Sequence, residues 1–266
     1  MKTLLIAEIG INHNGSFDMG RRIIDSAYDC GVQAVKFQTY RPELRFNSDN
    51  PFIETFEKYH LPFDQELNLW RHAQDKGLKV MTTPFDLPSV EDCRSEHLNG
   101  VKIASFETTN LELVRGVASL QLPTYFSTGQ NTLNEVKTVI ATIQSYHNDI
   151  IPMHCISSYP MANKDANLAV IKKLQTELKR DIGYSDHSVG YKVSGLAVAM
   201  GATCIEKHFT IDNSLEGPDH SFSMNPDSMR ELVDHITLTE EIIGDHWMGV
   251  RHCEQQIHDI ARRVSI

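Results

Sequence analysis

Short apolar runs alternate along the chain with longer segments in which apolar positions recur at helical spacing. Eight of the short runs, at 3–9, 33–38, 79–82, 101–104, 124–127, 150–155, 182–185 and 203–207, have the length and composition of buried strands. The segments between them carry helical patterns, the clearest at 18–30, 64–76, 131–146 and 190–200. Gly31, Gly77 and Gly201 stand just past three of these helix ends, where a glycine commonly closes the last turn. A strand followed by a helix, repeated eight times, predicts a parallel sheet closed into a (β/α)8 TIM barrel, with residues 1–266 as one domain. An open doubly wound sheet is the competing arrangement, but no glycine-rich nucleotide fingerprint follows the first strand. Two stretches break the rhythm. Residues 41–62, after the second strand, lack a clear period and are expected to form a long functional loop. Residues 245–266 are a polar tail, expected to be a terminal helix anchored by Trp247 and Met248.

Composition narrows the function without naming it. At 266 residues and 30.1 kDa, with 41% hydrophobic residues, the chain fits one large domain with an ordinary core. Lys and Arg number 25 against 35 Asp and Glu, a net charge of −10, which argues against nucleic acid or an acidic membrane as a partner. An anionic substrate stays open, because a few lysines in a cleft set the local potential. The five cysteines are an odd, widely spaced set without a CxxC pair and read as reduced thiols of a cytoplasmic protein. Glu8 cuts the first apolar run too short for a secretion signal, and no run approaches the ~18 residues of a membrane span.

Barrel chemistry sits at the C-terminal ends of strands, so polar residues there carry the functional signal. All eight ends have them, among them Glu8, Lys36 with Gln38, Thr83, Lys102 with Ser105 and Glu107, Ser127, Ser157 with Tyr159, Ser185 with Asp186 and His187, and Glu206 with His208. Any one of these reads as an ordinary rim group; eight coincident sets read as a site. Lys36 and Lys102 lie inside strands, and two buried cations need compensating anions. Glu8 and Glu107 are the expected protein partners, with ligand anions completing the balance. Thr83, Ser105, Ser127 and Ser185 add hydroxyl donors, a set suited to a ligand bearing a carboxylate and a phosphate. His187 and His208 end adjacent strands, and two neutral imidazoles with open positions suit a catalytic divalent ion. Asp186 is a candidate to orient a histidine, and the loop carrying Asp219 is expected to bring a carboxylate over the mouth.

The motif Ala7-Glu8-Ile9-Gly10-Ile11-Asn12-His13-Asn14-Gly15, followed by Val35-Lys36-Phe37-Gln38-Thr39, resembles the opening of sialic acid (N-acetylneuraminate) synthases. Thr83-Pro84-Phe85, Lys102-Ile103-Ala104-Ser105, Ser127-Thr128-Gly129, Ser185-Asp186-His187, Ile205-Glu206-Lys207-His208-Phe209-Thr210 and Gly217-Pro218-Asp219-His220 continue the resemblance in order over roughly residues 4–240. The resemblance implies condensation of phosphoenolpyruvate with an N-acetylated amino-sugar aldehyde of the N-acetylmannosamine kind, giving a nonulosonic acid and phosphate. It implies that His187 and His208 hold a divalent metal, manganese with magnesium or cobalt as alternatives. Lys36, Thr83 and Lys102 correspond to positions at the phosphoenolpyruvate carboxylate, and Ser105, Ser127 and Ser185 to positions at its phosphate. Gln38 and Tyr159, with the carboxyls of Glu8, Glu107 and Asp219, fall near the sugar and the reacting carbons. Phe106 stands where the family commonly has glycine, and Ser157 where it can have an asparagine near the phosphate. The family usually adds a C-terminal antifreeze-like cap that reaches across a homodimer, and the catalytic barrel alone is expected here, with a homodimer or a separate cap-domain protein as partner. The rival readings are a related synthase acting on another aldose or a sugar phosphate, and a silent sugar- or metal-binding subunit.

Overall fold

A computed structural model describes residues 1–45 and 50–263. Its strands are β1 (Leu4–Gly10), β2 (Ala34–Thr39), β3 (Lys79–Pro84), β4 (Gly100–Ile103), β5 (Thr124–Ser127), β6 (Ile150–Cys155), β7 (Gly183–Asp186) and β8 (Cys204–His208). They pair in parallel in chain order, and β1 with β8 closes the barrel. Its helices are α1 (Phe17–Asp29), α2 (Pro42–Arg45), α3 (Ile53–Lys58), α4 (Phe63–Asp75), α5 (Leu87–Asp92), α6 (Leu111–Ser119), α7 (Leu133–Gln144), α8 (Ala169–Leu178), α9 (Lys192–Ala199), α10 (Pro226–Ile243) and α11 (Gln255–Ala261).

The period-two pleat sorts each strand into two sets. Outward residues such as Leu5, Ala7, Ile9, Val35, Phe37 and Val101 pack under the helices in one continuous core. Inward residues divide by height: Ile6, Ala34 and Met81 form a small apolar layer low in the barrel. The next inward layer is polar, with Glu8 beside Lys36 and Ser185 beside Glu206 in register. The barrel is thus plugged by hydrocarbon below and lined with charge above.

Local signals begin or end several of the helices as their sequences predict. Ser16 caps α1 by accepting from the Met19 amide, Thr132 and Glu135 form a capping box on α7, and Gly31 closes α1 at φ +86°. The segment expected to be a long loop, 41–62, instead holds α2 and α3; residues 46–49 within it lie outside the described residues. Helix α3 has no side-chain N-cap, so no start signal marked it. Tertiary contact holds this segment, through a small cluster of Ile11, Tyr40, Tyr59 and Phe85 with Phe56 against it. The tail holds the expected terminal helix, α11, after a short 3-10 turn, but Trp247 is 53% and Met248 99% exposed, so neither is the buried anchor expected of them. Residues 264–266 of that tail lie outside the described residues.

One buried carboxyl ties a helix to the barrel. Glu66 of α4 accepts a 2.7 Å hydrogen bond from Thr39, which shares another of 2.7 Å with Thr82. Burial pushes the Glu66 carboxyl up to about 8, the Thr39 bond only partly offsetting it. Its folded value exceeds its unfolded one, so the folded state holds a proton that the unfolded state has lost. That contribution is complete below pH ~4.5 and is lost as pH rises through about 8. Glu66→Gln is expected to flatten this part of the stability profile. Urea unfolding at pH 5.5 and 8.5 should show the wild type losing on the order of 1 kcal/mol per pH unit more than the variant. Parallel profiles would refute a buried neutral Glu66.

Candidate active site

The C-terminal ends of the strands open into a cavity of about 540 Å³. Its floor is a cluster of buried charges. Lys36 Nζ lies 2.7 Å from Glu8 Oε2, donates to Thr83 Oγ1 at 2.8 Å and stands 3.9 Å from Glu206. Lys102 Nζ donates to both oxygens of Glu206, each at 2.9 Å, and Ser185 donates to Glu206 at 3.0 Å. Gln38 donates to Glu8 at 3.1 Å. Burial opposes ionisation of Glu206, but Lys102 and Lys36 prevail and hold it down to about 2. Glu8 is raised, because burial and the Glu206 charge outweigh Lys36. Glu8 is therefore the floor carboxyl readier to hold a proton.

The partner of Lys102 differs from expectation. It is Glu206; Glu107 sits in the 3-10 turn Ser105–Glu107 beyond the end of β4, bonded to Asn110 at 3.3 Å and outside the cavity lining. Glu206 stood in the sequence at a strand end but was not singled out. Its inward position between Cys204 and His208 was the available signal. Asp186 also differs: it pairs with Lys207 at 2.9 Å and accepts from the Ser188 amide at 2.8 Å, on the outward face, so it orients no histidine. The pleat places Ser185 and His187 toward the cavity and Asp186 away from it.

Ser105, Ser127 and Ser185 line the cavity wall. Ser157 does not, yet it borders the same corner. A Cβ placed on Gly129 would lie 2.6 Å from Ser157 Oγ and 2.8 Å from Ser105 Oγ, so glycine keeps this corner open between two hydroxyls. Ser157 Oγ is buried with no hydrogen-bond partner among the described residues.

His187 and His208 face each other across 5.6 Å between ring centroids. The Ile156 carbonyl, 2.8 Å from His187 Nδ1, can only accept, which puts the proton on Nδ1 and leaves Nε2 as a lone-pair donor. Burial drives His208 well below the ordinary histidine range, so it is a neutral imidazole. Its buried Nδ1 lacks a hydrogen-bond partner among the described residues and lies 3.5 Å from Asp219 Oδ2. Burial lifts Asp219 up to about 6, against the nearby His187 and Arg45 charges. Tyr159 lies over His187 at 4.0 Å between centroids. No three of His, Cys, Asp or Glu converge into a closed metal cage among the described residues. Two imidazoles beside a carboxylate nevertheless fit a divalent ion that keeps positions open for ligands, since each can offer a ring nitrogen once unprotonated. Arg45, which sequence reading passed over, also lines the cavity. Its position depends on helix α2, which has no pattern of its own.

Fold and site together define a barrel enzyme with its polar groups gathered at the strand ends around a floor of paired lysines and glutamates. The chain belongs to the NeuB family, whose profile matches residues 23–247. An N,N'-diacetyllegionaminic acid synthase of Legionella pneumophila is 36% identical over 99% of this chain and 79% of its own length. An N-acetylneuraminate-9-phosphate synthase of Mus musculus is 33% identical over 96% of this chain and 75% of its own length. The crystal structure of an N-acetylneuraminic acid synthetase from Leptospira borgpetersenii, in complex with citrate, superimposes with a TM-score of 0.94. It shares 33% identity and the match covers 99% of this chain and 94% of that one. The phosphoenolpyruvate-dependent condensing transferase expected from the sequence is thereby met at the level of the family. No helix among the described residues is long and apolar enough to cross a membrane.

The floor makes a stability prediction. Glu206→Gln leaves Lys102 buried without a counter-charge and is expected to cost about 3–5 kcal/mol in urea unfolding. The double variant Lys102→Met/Glu206→Leu should recover most of that loss. Additive losses in the double variant would show that the pair is not energetically coupled.

Proposed function

We propose that this protein condenses phosphoenolpyruvate with an N-acetylated amino-sugar aldehyde, forming a nonulosonic acid and releasing phosphate. The observation that carries the proposal is the floor, where Lys36 and Lys102 stand within one cavity beside a hydroxyl-lined corner and two facing imidazoles. Lys36, Thr83 and Lys102 would take the carboxylate of phosphoenolpyruvate. Ser105, Ser127 and Ser185, with Ser157 at the Gly129 corner, would take its phosphate. Gln38 and Tyr159 would border the sugar.

In the reaction, carbon three of phosphoenolpyruvate attacks the aldehyde carbon and the aldehyde oxygen gains a proton. Water adds to the cationic carbon two and gives up a proton, and the tetrahedral intermediate loses phosphate by breaking its bond to that carbon. A divalent ion held by His187 and His208, manganese with magnesium or cobalt as alternatives, would supply polarisation of the aldehyde carbonyl. Protons come and go at Glu8 and Asp219, the cavity carboxyls that burial makes more basic than usual. Glu107 at the rim is the third candidate, also raised by burial.

Relatives that differ in the product they are named for keep a second reading open, a synthase of the same kind using another aldose or a sugar phosphate. A panel of N-acetylated, unmodified and phosphorylated aldoses, assayed for phosphate release from phosphoenolpyruvate, separates them. Turnover with N-acetylated aldoses is the expected result. Activity confined to phosphorylated aldoses would establish the second reading, and none with any aldose would mark a silent binding subunit. His208→Ala is expected to fold normally by circular dichroism, lose at least a hundredfold in turnover and lose stimulation by added manganese. Wild-type turnover in that variant would remove the metal assignment.

A further inference from the structure

The turn Asn12–Gly15 after β1 lends no side chain to the cavity lining, yet it fastens the segment between β8 and α10 that does. Asn12 Nδ2 donates to the Phe209 carbonyl at 2.9 Å and to Ser223 Oγ at 3.0 Å, and Ser223 Oγ donates to the Asp219 carbonyl at 2.6 Å. Asn14 Nδ2 donates to the Glu216 carbonyl at 2.9 Å, which commits Asn14 Oδ1 as the acceptor for His220 Nε2 at 3.1 Å. The His220 ring is buried, and burial lowers it below the ordinary histidine range. The neutral ring therefore carries its one proton on Nε2, and Nδ1 accepts from the Thr210 hydroxyl at 2.7 Å. This is the shorter of that hydroxyl's two donor contacts, the other being the Asp212 carbonyl at 3.1 Å. Gly217 lets the turn close on the ring. A Cβ there would lie 2.7 Å from His220 Cδ2 and 3.1 Å from Asn14 Oδ1, at a φ of +154° that favours glycine.

His220 directly follows Asp219, and both belong to the segment over the two imidazoles. Among the described residues the Asp219 carboxylate accepts no hydrogen bond, and it stands 3.5 Å from His208 Nδ1. Its place is therefore set through its backbone, by the Ser223 bond to its carbonyl and by the anchored ring of the next residue. Phe222, in the same 3-10 turn (His220–Phe222), brings its ring to 5.2 Å from that of His208.

We propose that Asn14 and His220 are positioning residues of the reaction: their strut, seated on Thr210, holds the Asp219 carboxylate beside His208. The inference rests on the reading of Asp219 as a proton-handling carboxyl of the synthase. Neither residue lines the cavity, so their effect runs through Asp219. A displacement of about 1 Å from the working geometry costs on the order of a hundredfold in rate, which is the reason to anchor a carboxylate carried on a loop. A fastening that served only the fold would lower the resistance to unfolding and leave the turnover of folded molecules unchanged.

The test uses the full chain with phosphoenolpyruvate and N-acetylmannosamine, following phosphate release in the wild type, Asn14→Gly, His220→Ala, His220→Gln and Asp219→Asn. Asn14 sits at φ +51° and is only partly buried, so glycine removes its side chain without straining the backbone. Asn14→Gly and His220→Ala are expected to lower kcat at least tenfold, with KM for phosphoenolpyruvate changed less than twofold. His220→Gln, which keeps an acceptor for Thr210 and a donor for Asn14, should return to within about threefold of the wild type. In the Asp219→Asn background, Asn14→Gly should cost less than twofold more, because the carboxylate that it positions is gone. A full tenfold loss in that background, or wild-type kcat in Asn14→Gly, would overturn the proposal. If His220→Ala does not fold, Asn14→Gly decides between the same outcomes. If the wild type turns over no N-acetylmannosamine, or Asp219→Asn turns it over normally, the reading of the acceptor or of Asp219 fails on its own. Crystal structures of the wild type and Asn14→Gly then still decide the strut. An Asp219 carboxylate displaced from His208 in the variant supports it, and one still beside His208 overturns it.

Discussion

Two lysines and two glutamates are buried together in the upper interior of the barrel, and much of the rest follows from holding them there. Lys36 and Lys102 come from β2 and β4, Glu8 and Glu206 from β1 and β8, so four strands must stay in register for the charges to meet. Each unpaired member would be expensive in so dry a place. The hydrocarbon layer of Ile6, Ala34 and Met81 below seals the cluster from the far end of the barrel. Charge balance is achieved by the protein alone, with Glu206 firmly ionised and Glu8 the readier to take a proton. The two lysines are thus held in fixed positions facing the cavity, and one carboxyl beside them is able to give up part of its charge. This is preorganisation in an electrostatic sense: the desolvation has been met by folding before substrate arrives.

Strands and loops divide the remaining work. The floor, the hydroxyl wall and the two imidazoles all sit on or directly after strands, whose positions the closed hydrogen-bonded barrel sets. The apolar mouth with Arg45 comes from the segments after β2, β3 and β4, which pack on one another through aromatic rings. A site so divided can keep its charged floor while the loops at the mouth vary. The relatives, similar across nearly all of this chain yet named for different sugar-acid products, are in keeping with such a division.

Most of the fold and the central part of the site were legible because the barrel pleat is a period-two rule. Inward residues at the strand ends, Glu8, Lys36, Lys102, Ser185, His187 and His208, can be found by alternation alone. The same rule separates Asp186, which turns outward to Lys207, from its two inward neighbours, and it points to Glu206 as the partner of Lys102. Glu107 was a less apt partner because it lies past the strand, where a 3-10 turn has already left the alternation. Helices α2 and α3 are too short to show a period and α3 has no side-chain N-cap, and the cluster that holds them draws on Ile11 and Phe85, which are distant in sequence.

The sequence by itself determined the eightfold strand–helix order, the helix caps and the set of polar residues at the barrel mouth. Each of these depends on neighbours within a turn or a strand, where spacing is geometry. Only the tertiary structure decided which carboxylate answers which lysine, that Trp247 and Met248 stay on the surface, and that Arg45 is laid across Phe85 and Phe56 at the cavity. The ion pair and the contact of Arg45 with Phe85 join segments far apart in the chain, and the energies that select them, desolvation and ring packing, exist only once the barrel has closed.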